Sequence, residues 1–197
     1  MRSLLCYVAS TVALLLTADL LSDAQTTAPK AQARSANKAK AVALNTNDVE
    51  GFPIDSGKLK FVATHEDTNG AFSIVERTQD PCYKTTWHRH DRHEESFYVL
   101  EGVWTVQIAD KLYEFPAGSY VLIPRGTPHG QGNFTRRPVR LLVIAAPGDF
   151  DRFYQDRAAL FEEKGSNKAE LEKGLEALRR RYIQVIDYTW NIKKACG

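Results

Sequence analysis

The stretch whose reading decides the fold is His88-Arg89-His90-Asp91-Arg92-His93-Glu94-Glu95-Ser96-Phe97-Tyr98-Val99-Leu100-Glu101-Gly102. Residues two apart on a strand face the same side, so the imidazoles of His88 and His90 can converge on one point. A short polar excursion follows, and an acidic residue, Glu94 or Glu95, then leads into the β-rich run of residues 97–100. Imidazole and carboxylate together suit one divalent first-row transition ion, Fe, Mn, Ni, Co, Cu or Zn.

On either side the pattern is of short strands. Residues 59–62 and 72–75 precede the cluster, the second with period-two alternation. After it, Glu101-Gly102 separates residues 97–100 from 103–108, and Ala109-Asp110-Lys111 reads as a hairpin tip leading into 112–115. Residues 120–123 form a strand ended by Pro124-Arg125-Gly126-Thr127-Pro128, a rigid turn that presents His129 as a further ligand candidate. Residues 139–145 make the last long apolar strand. Short strands with turn signals every eight to twelve residues predict an all-β sandwich or barrel.

With these residues in view, the chain resembles the cupin superfamily. One motif of that family is a His, one residue, a His, three or four residues, a Glu, six residues and a Gly; His88, His90, Glu95 and Gly102 fill it. The second is a Gly, five residues, a Pro, one residue, a Gly, two residues, a His, three residues and an Asn; Gly118, Pro124, Gly126, His129 and Asn133 fill it. The runs 97–102, 121–129 and 140–153 look like small single-barrel cupins grouped with quercetin dioxygenases, and the resemblance covers roughly residues 58–186. Trp87 stands where such relatives often have Pro.

The resemblance implies a jelly-roll, or double-stranded β-helix, barrel holding a metal on His88, His90, Glu95 and His129. Its spacing selects Glu95 over Glu94. It implies a metal-dependent dioxygenase acting on a small oxygen-chelating aromatic or enol, with Glu95 also placed to accept a substrate proton. Phe72, Phe97 and Trp104 are candidate linings. The other readings are a Lewis-acid isomerase or lyase and a non-catalytic small-molecule or sugar-binding cupin, since fold alone does not set function. Cupin barrels often pair through edge strands, so a homodimer is implied too. His93 and His65 are expected in solvated loops. Asn133-Phe134-Thr135 fits a glycosylation acceptor but lies inside the second motif.

The chain divides into residues 1–24, 25–57, 58–147 and 148–197. Met1-Arg2, the apolar run 4–16 and Ser22-Asp23-Ala24 read as a signal peptide cut after Ala24, which predicts a secreted or periplasmic protein. Asp19 interrupts the run short of the ~20 apolar residues of a membrane span, so no stable insertion is expected. Residues 25–57 read as a flexible arm, 58–147 as the barrel, and 148–197 as two helices and a short strand packed on it. In that last part Phe150, Phe153, Tyr154, Leu160 and Phe161 recur at helical spacing, and Ser166 or Asn167 caps a second helix through Leu171, Leu175 and Leu178. Hydrophobic residues at 43% and charged residues at 25% suffice for one globular core, while a net charge of +2 offers no footprint for nucleic acid. In an oxidising compartment Cys82 and Cys196 can form a bridge, remain free thiols or pair between chains. Material recovered from an exporting cell is expected to begin at Gln25 on N-terminal sequencing. Alkylation before and after reduction, read by mass spectrometry, separates the three states of Cys82 and Cys196.

Overall fold

A computed structural model describes residues 39–54 and 56–192. The described strands are β1 Phe52–Pro53, β2 Gly57–Ala63, β3 Ser73–Gln79, β4 Trp87–Arg89, β5 Glu94–Glu101 and β6 Val103–Ile108. They continue as β7 Lys111–Pro116, β8 Tyr120–Ile123, β9 His129–Gly132, β10 Val139–Ala146 and β11 Gln184–Asp187, with helices α1 Asp151–Lys164 and α2 Lys168–Tyr182 before β11. They form two antiparallel sheets, in the orders β1-β2-β3-β10-β5-β8 and β11-β4-β9-β6-β7. This is the all-β barrel expected from the strand pattern, in the jelly-roll form that the resemblance implies. No described helix is long and apolar enough to cross a membrane.

Alternation puts the core between the sheets. On β10, Val139, Leu141, Val143 and Ala145 are buried, while the residues between them are half-buried. On β5, Phe97 and Val99 turn inward and Tyr98 outward. Leu59, Val75, Trp104, Val106, Val121 and Ile123 meet them from other strands. The β5–β6 turn needs Gly102: its φ is +85°, and an added Cβ would stand 3.0 Å from the Pro138 carbonyl oxygen.

The structure departs from the sequence reading in three places. Part of the stretch read as a flexible arm lies on the barrel: β1 pairs with β2, Phe52 stacks on Phe61 at 5.4 Å and Ile54 is buried. Strand β3 runs on past Val75 through polar residues, because tertiary partners satisfy them. Glu76 meets Arg140 at 2.9 Å, and Gln79 donates to Gln131 at 2.7 Å. Strands β4 and β9 carried no apolar run, and they exist through pairing with each other and with β11 and β6.

Both helices form near their expected limits. Asn167 caps α2, its side chain accepting from the Glu170 amide at 3.3 Å. Strand β11 adds to the five-stranded sheet beside β4. Cys82 is disulfide-bonded; Cys196, the partner expected within the chain, lies outside the described residues, as does the expected signal segment.

Leu141 is wholly buried in the middle of the six-stranded sheet. Leu141→Ala is expected to lower stability by about 2–5 kcal/mol. Urea unfolding checks this, with a fall in midpoint at unchanged slope.

Candidate metal centre

His88 on β4 and His129 on β9 are direct partners across an antiparallel pair, so their side chains rise on one face. Their ring centroids are 4.3 Å apart. His90 follows β4, and the turn after β8 braces it: the Gly126 amide donates to the His90 carbonyl at 2.7 Å. That turn places Gly126 at φ +77°, a left-handed conformation suited to glycine. Glu95 enters from β5 on the facing sheet. Donor atoms of His88, His90, Glu95 and His129 all lie within 4.8 Å of one another, and all four residues are buried.

Strand parity separates the neighbouring acids. Glu95 turns inward, whereas Glu94 turns outward to a two-pronged pair with Arg125 at 2.6 and 2.8 Å. That partner lowers the Glu94 pKa through its hydrogen bonds.

Each imidazole is fixed from behind by a backbone carbonyl. Nδ1 of His88 lies 2.8 Å from the Thr86 oxygen, Nδ1 of His129 lies 2.9 Å from the Thr127 oxygen, and Nδ1 of His90 lies 3.4 Å from the Tyr182 oxygen. A carbonyl only accepts, so each Nδ1 carries a hydrogen and Nε2 is left with its lone pair for the centre. Nε2 of His90 and of His129 has no hydrogen-bond partner, although the two atoms stand 3.2 and 3.3 Å from Glu95 Oε2. Lone pairs and a carboxylate facing inward at such distances call for a cation. Donors about 2.1 Å from a shared ion stand roughly 3.0 Å apart at octahedral angles and roughly 3.5 Å apart at tetrahedral ones. The His90, His129 and Glu95 donors therefore stand at separations that suit a divalent ion, with a His88 nitrogen within 4.8 Å of each.

The charge states agree with this. Burial, then the neighbouring His129 and His90 rings, pushes the His88 pKa down to about 3, so its ring is neutral at physiological pH. Burial opposes ionisation of Glu95, but its electrostatic and hydrogen-bond interactions with His90 and His129 outweigh it and hold the carboxyl well below the usual range.

The group opens on a cavity of about 440 Å³, which also meets Phe97, Phe150, Tyr154 and Arg77. Phe97 lines it as expected, whereas Trp104 is buried in the core and donates to Gln131 at 2.8 Å. Phe72 is 39% exposed and belongs to the surface. His93 is not solvated: it is 2% exposed, between His90 at 4.4 Å and Phe150 at 4.6 Å. Burial, then the neighbouring His90 ring, takes its pKa down to about 4. Phe150, just before α1, covers it, a contact that the local sequence does not announce. Asn133 is fully buried, its amide donating to the carbonyls of Gln79 at 3.0 Å and Arg137 at 2.7 Å. It is thus committed to the fold rather than presented for glycosylation. His65, Glu66 and Asp151 also gather, but Arg152 donates to His65 Nε2 at 2.7 Å and occupies the place a cation would take.

The family model of the Cupin domain matches residues 77–145. The chain is 25% identical over 96 residues to a quercetin 2,3-dioxygenase of Bacillus subtilis, covering 49% of this chain and 28% of that protein. It is 33% identical over 75 residues to an uncharacterized protein of Methanocaldococcus jannaschii, covering 38% of this chain and 60% of the other. It therefore spans less than two thirds of both curated relatives. Among solved structures, KdgF from Halomonas sp. superposes with a TM-score of 0.50 at 20% identity, covering 57% of this chain and 99% of that one; this likeness shows the fold. The domain match, the two filled motifs and the two-sheet barrel show that this chain carries a cupin domain.

Proposed function

We propose that this chain is a secreted, metal-dependent dioxygenase acting on a small aromatic or enolic substrate that chelates through oxygen. One observation carries the reading. Three buried imidazoles are each tied at Nδ1 to a backbone carbonyl, and with Glu95 they turn toward a common point beside a cavity of about 440 Å³. Bound there, a redox-active divalent ion supplies Lewis acidity and a route for electrons from a chelating substrate to O₂. The N-terminal pattern of residues 1–24 supports secretion.

The chain's own groups have separate tasks. His88, His90 and His129 are held neutral-side inward by their carbonyl contacts, so they hold position without rearranging. Glu95, kept ionised, is able to accept a proton from a substrate hydroxyl at Oε1 or Oε2. Phe97 and Phe150 exclude water from the reacting end of the cavity. The similarity to a quercetin 2,3-dioxygenase favours oxygen chemistry over the other cupin reactions.

Elemental analysis of the purified protein is expected to find about one Fe, Mn, Co, Ni or Cu per chain, as a single four-residue group implies. His129→Ala is expected to lower that content more than about tenfold. The metal-loaded protein is then expected to consume O₂ with a flavonol, a catechol or a diketone. Turnover that proceeds equally without O₂, or with zinc alone, would replace the dioxygenase reading with Lewis-acid catalysis. A protein that takes up no metal would overturn both.

A pH dependence also follows for the metal-free protein. His88 and His93 titrate near 6.5 when unfolded but at about 3 and about 4 when folded. Below 6.5 the unfolded chain therefore binds more protons than the folded one. The stability contributed by these two groups is fully present above pH 6.5 and is lost as pH falls toward 3. Urea midpoints measured at pH 7 and pH 5 are expected to fall with acidification, and less so in His88→Gln; equal midpoints would contradict the burial argument.

A further inference from the structure

Gln131 stands two residues beyond His129 on β9, so its side chain rises on the same face, about 6.7 Å further along the strand. It lines the cavity together with Gln79, the last residue of β3. Its backbone is clamped: the Gln131 amide donates to Thr85 Oγ1 at 3.1 Å, and its carbonyl accepts from the Thr85 amide at 2.9 Å. The side chain is clamped as well. Its Oε1 accepts from Trp104 Nε1 at 2.8 Å and from Gln79 Nε2 at 2.7 Å.

These two bonds decide which way the amide faces. An indole N–H only donates, so the atom of Gln131 that meets it is the oxygen. Turning the amide over would set its NH₂ against the indole hydrogen. Among the described residues, Oε1 takes both of the side chain's hydrogen bonds, and Nε2 keeps its donors for the cavity. Gln79 Oε1, in contrast, is sealed from solvent without a partner. A buried acceptor left unpaired disfavours folding, and such an exception calls for a cause. Here Gln79 serves to hold Gln131 in one orientation.

We infer that Gln131 is a substrate-selecting residue whose fixed NH₂ donates to a carbonyl oxygen of the molecule in the cavity. The occupant is then a small aromatic or enolic compound with a chelating pair of oxygens at one end and a carbonyl oxygen at the other. One strand step of about 6.7 Å is comparable to the span of a single substituted ring. Phe97, Val143, Phe150 and Phe153 supply apolar walls for such a ring. Seating the chelating end at His88, His90, Glu95 and His129 rests on the metal reading above. Donation by Gln131 does not depend on it.

The test uses two uncharged probes of nearly equal size that share a chelating catechol, 3,4-dihydroxyacetophenone and 4-ethylcatechol. They differ in a carbonyl in place of a methylene. Calorimetric titration is run without oxygen on the full chain, metal-stripped and loaded with zinc, which is redox-inert. A carbonyl also acidifies the catechol, so the quantity read is the ketone-to-ethyl affinity ratio of the native protein divided by that of Gln131→Met. Methionine keeps the chain length and has no N–H to donate. The quotient is expected to be about three- to tenfold, the scale of one neutral hydrogen bond, with zinc uptake and 4-ethylcatechol affinity unchanged. A quotient within about twofold of unity, or binding of neither probe, by a protein that takes up zinc overturns the inference and leaves the metal reading in place. A protein that takes up no zinc yet gives the expected quotient overturns the metal reading and supports selection by Gln131. Should Gln131→Met lose its cooperative melt, the infrared band of the isotope-labelled carbonyl bound to the native protein decides. A band below its position in dry dioxane supports the donated hydrogen bond, and a band at that position overturns it.

Discussion

The arrangement on which the rest depends is the direct pairing of His88 with His129 across β4 and β9. Neither strand has the apolar residues that make a strand by itself, and β4 is three residues long. Pairing sets both rings on one face, and the carbonyls of Thr86 and Thr127, each two residues back along the chain, hold the Nδ1 hydrogens. A short local contact thereby sets the tautomer, and the tautomer sets where each lone pair points. Glu95 completes the group from the facing sheet, so the site exists only when the two sheets close on each other.

The C-terminal segment extends this arrangement. The Tyr182 carbonyl at the end of α2 faces Nδ1 of His90, and β11 pairs with β4. Phe150, just before α1, packs against both His90 and His93, with ring centroids at 4.9 and 4.6 Å. Phe153 and Tyr182 join it in a small cluster of their own. The helices thus form one wall of the cavity and supply a carbonyl behind one of the buried rings. Their apolar stripe serves the site as well as stability.

Charge is distributed by strand parity. At Glu94 and Glu95, adjacent in sequence, one carboxylate meets Arg125 at the surface and the other meets three imidazoles in the interior. On β3 the same alternation sends Glu76 to Arg140 and Arg77 to the cavity. A one-residue slip of either strand would exchange these environments, leaving a guanidinium or a carboxylate without its partners. Polar residues therefore enforce register here alongside apolar ones.

Much of this molecule was legible in its residues. The His88–His90 spacing and the rigid turn before His129 offered three imidazoles, because short-range geometry acts locally; between Glu94 and Glu95 the residues left the choice open, and the resemblance to cupins, through its spacing to Gly102, selected Glu95. Alternation over 97–100, 103–108 and 139–145, and the helical period after Phe150, marked the main elements for the same reason. Other features required the closed barrel. Strands β4 and β9, the burial of His93, the surface position of Phe72 and the inward turn of Arg77 and Arg157 arise from contacts between distant segments. Local period carries no information about such contacts. The sequence by itself determined which residues are able to bind an ion; tertiary structure alone decided that they meet, buried, beside a cavity, because burial and charge environment depend on what packs against a residue.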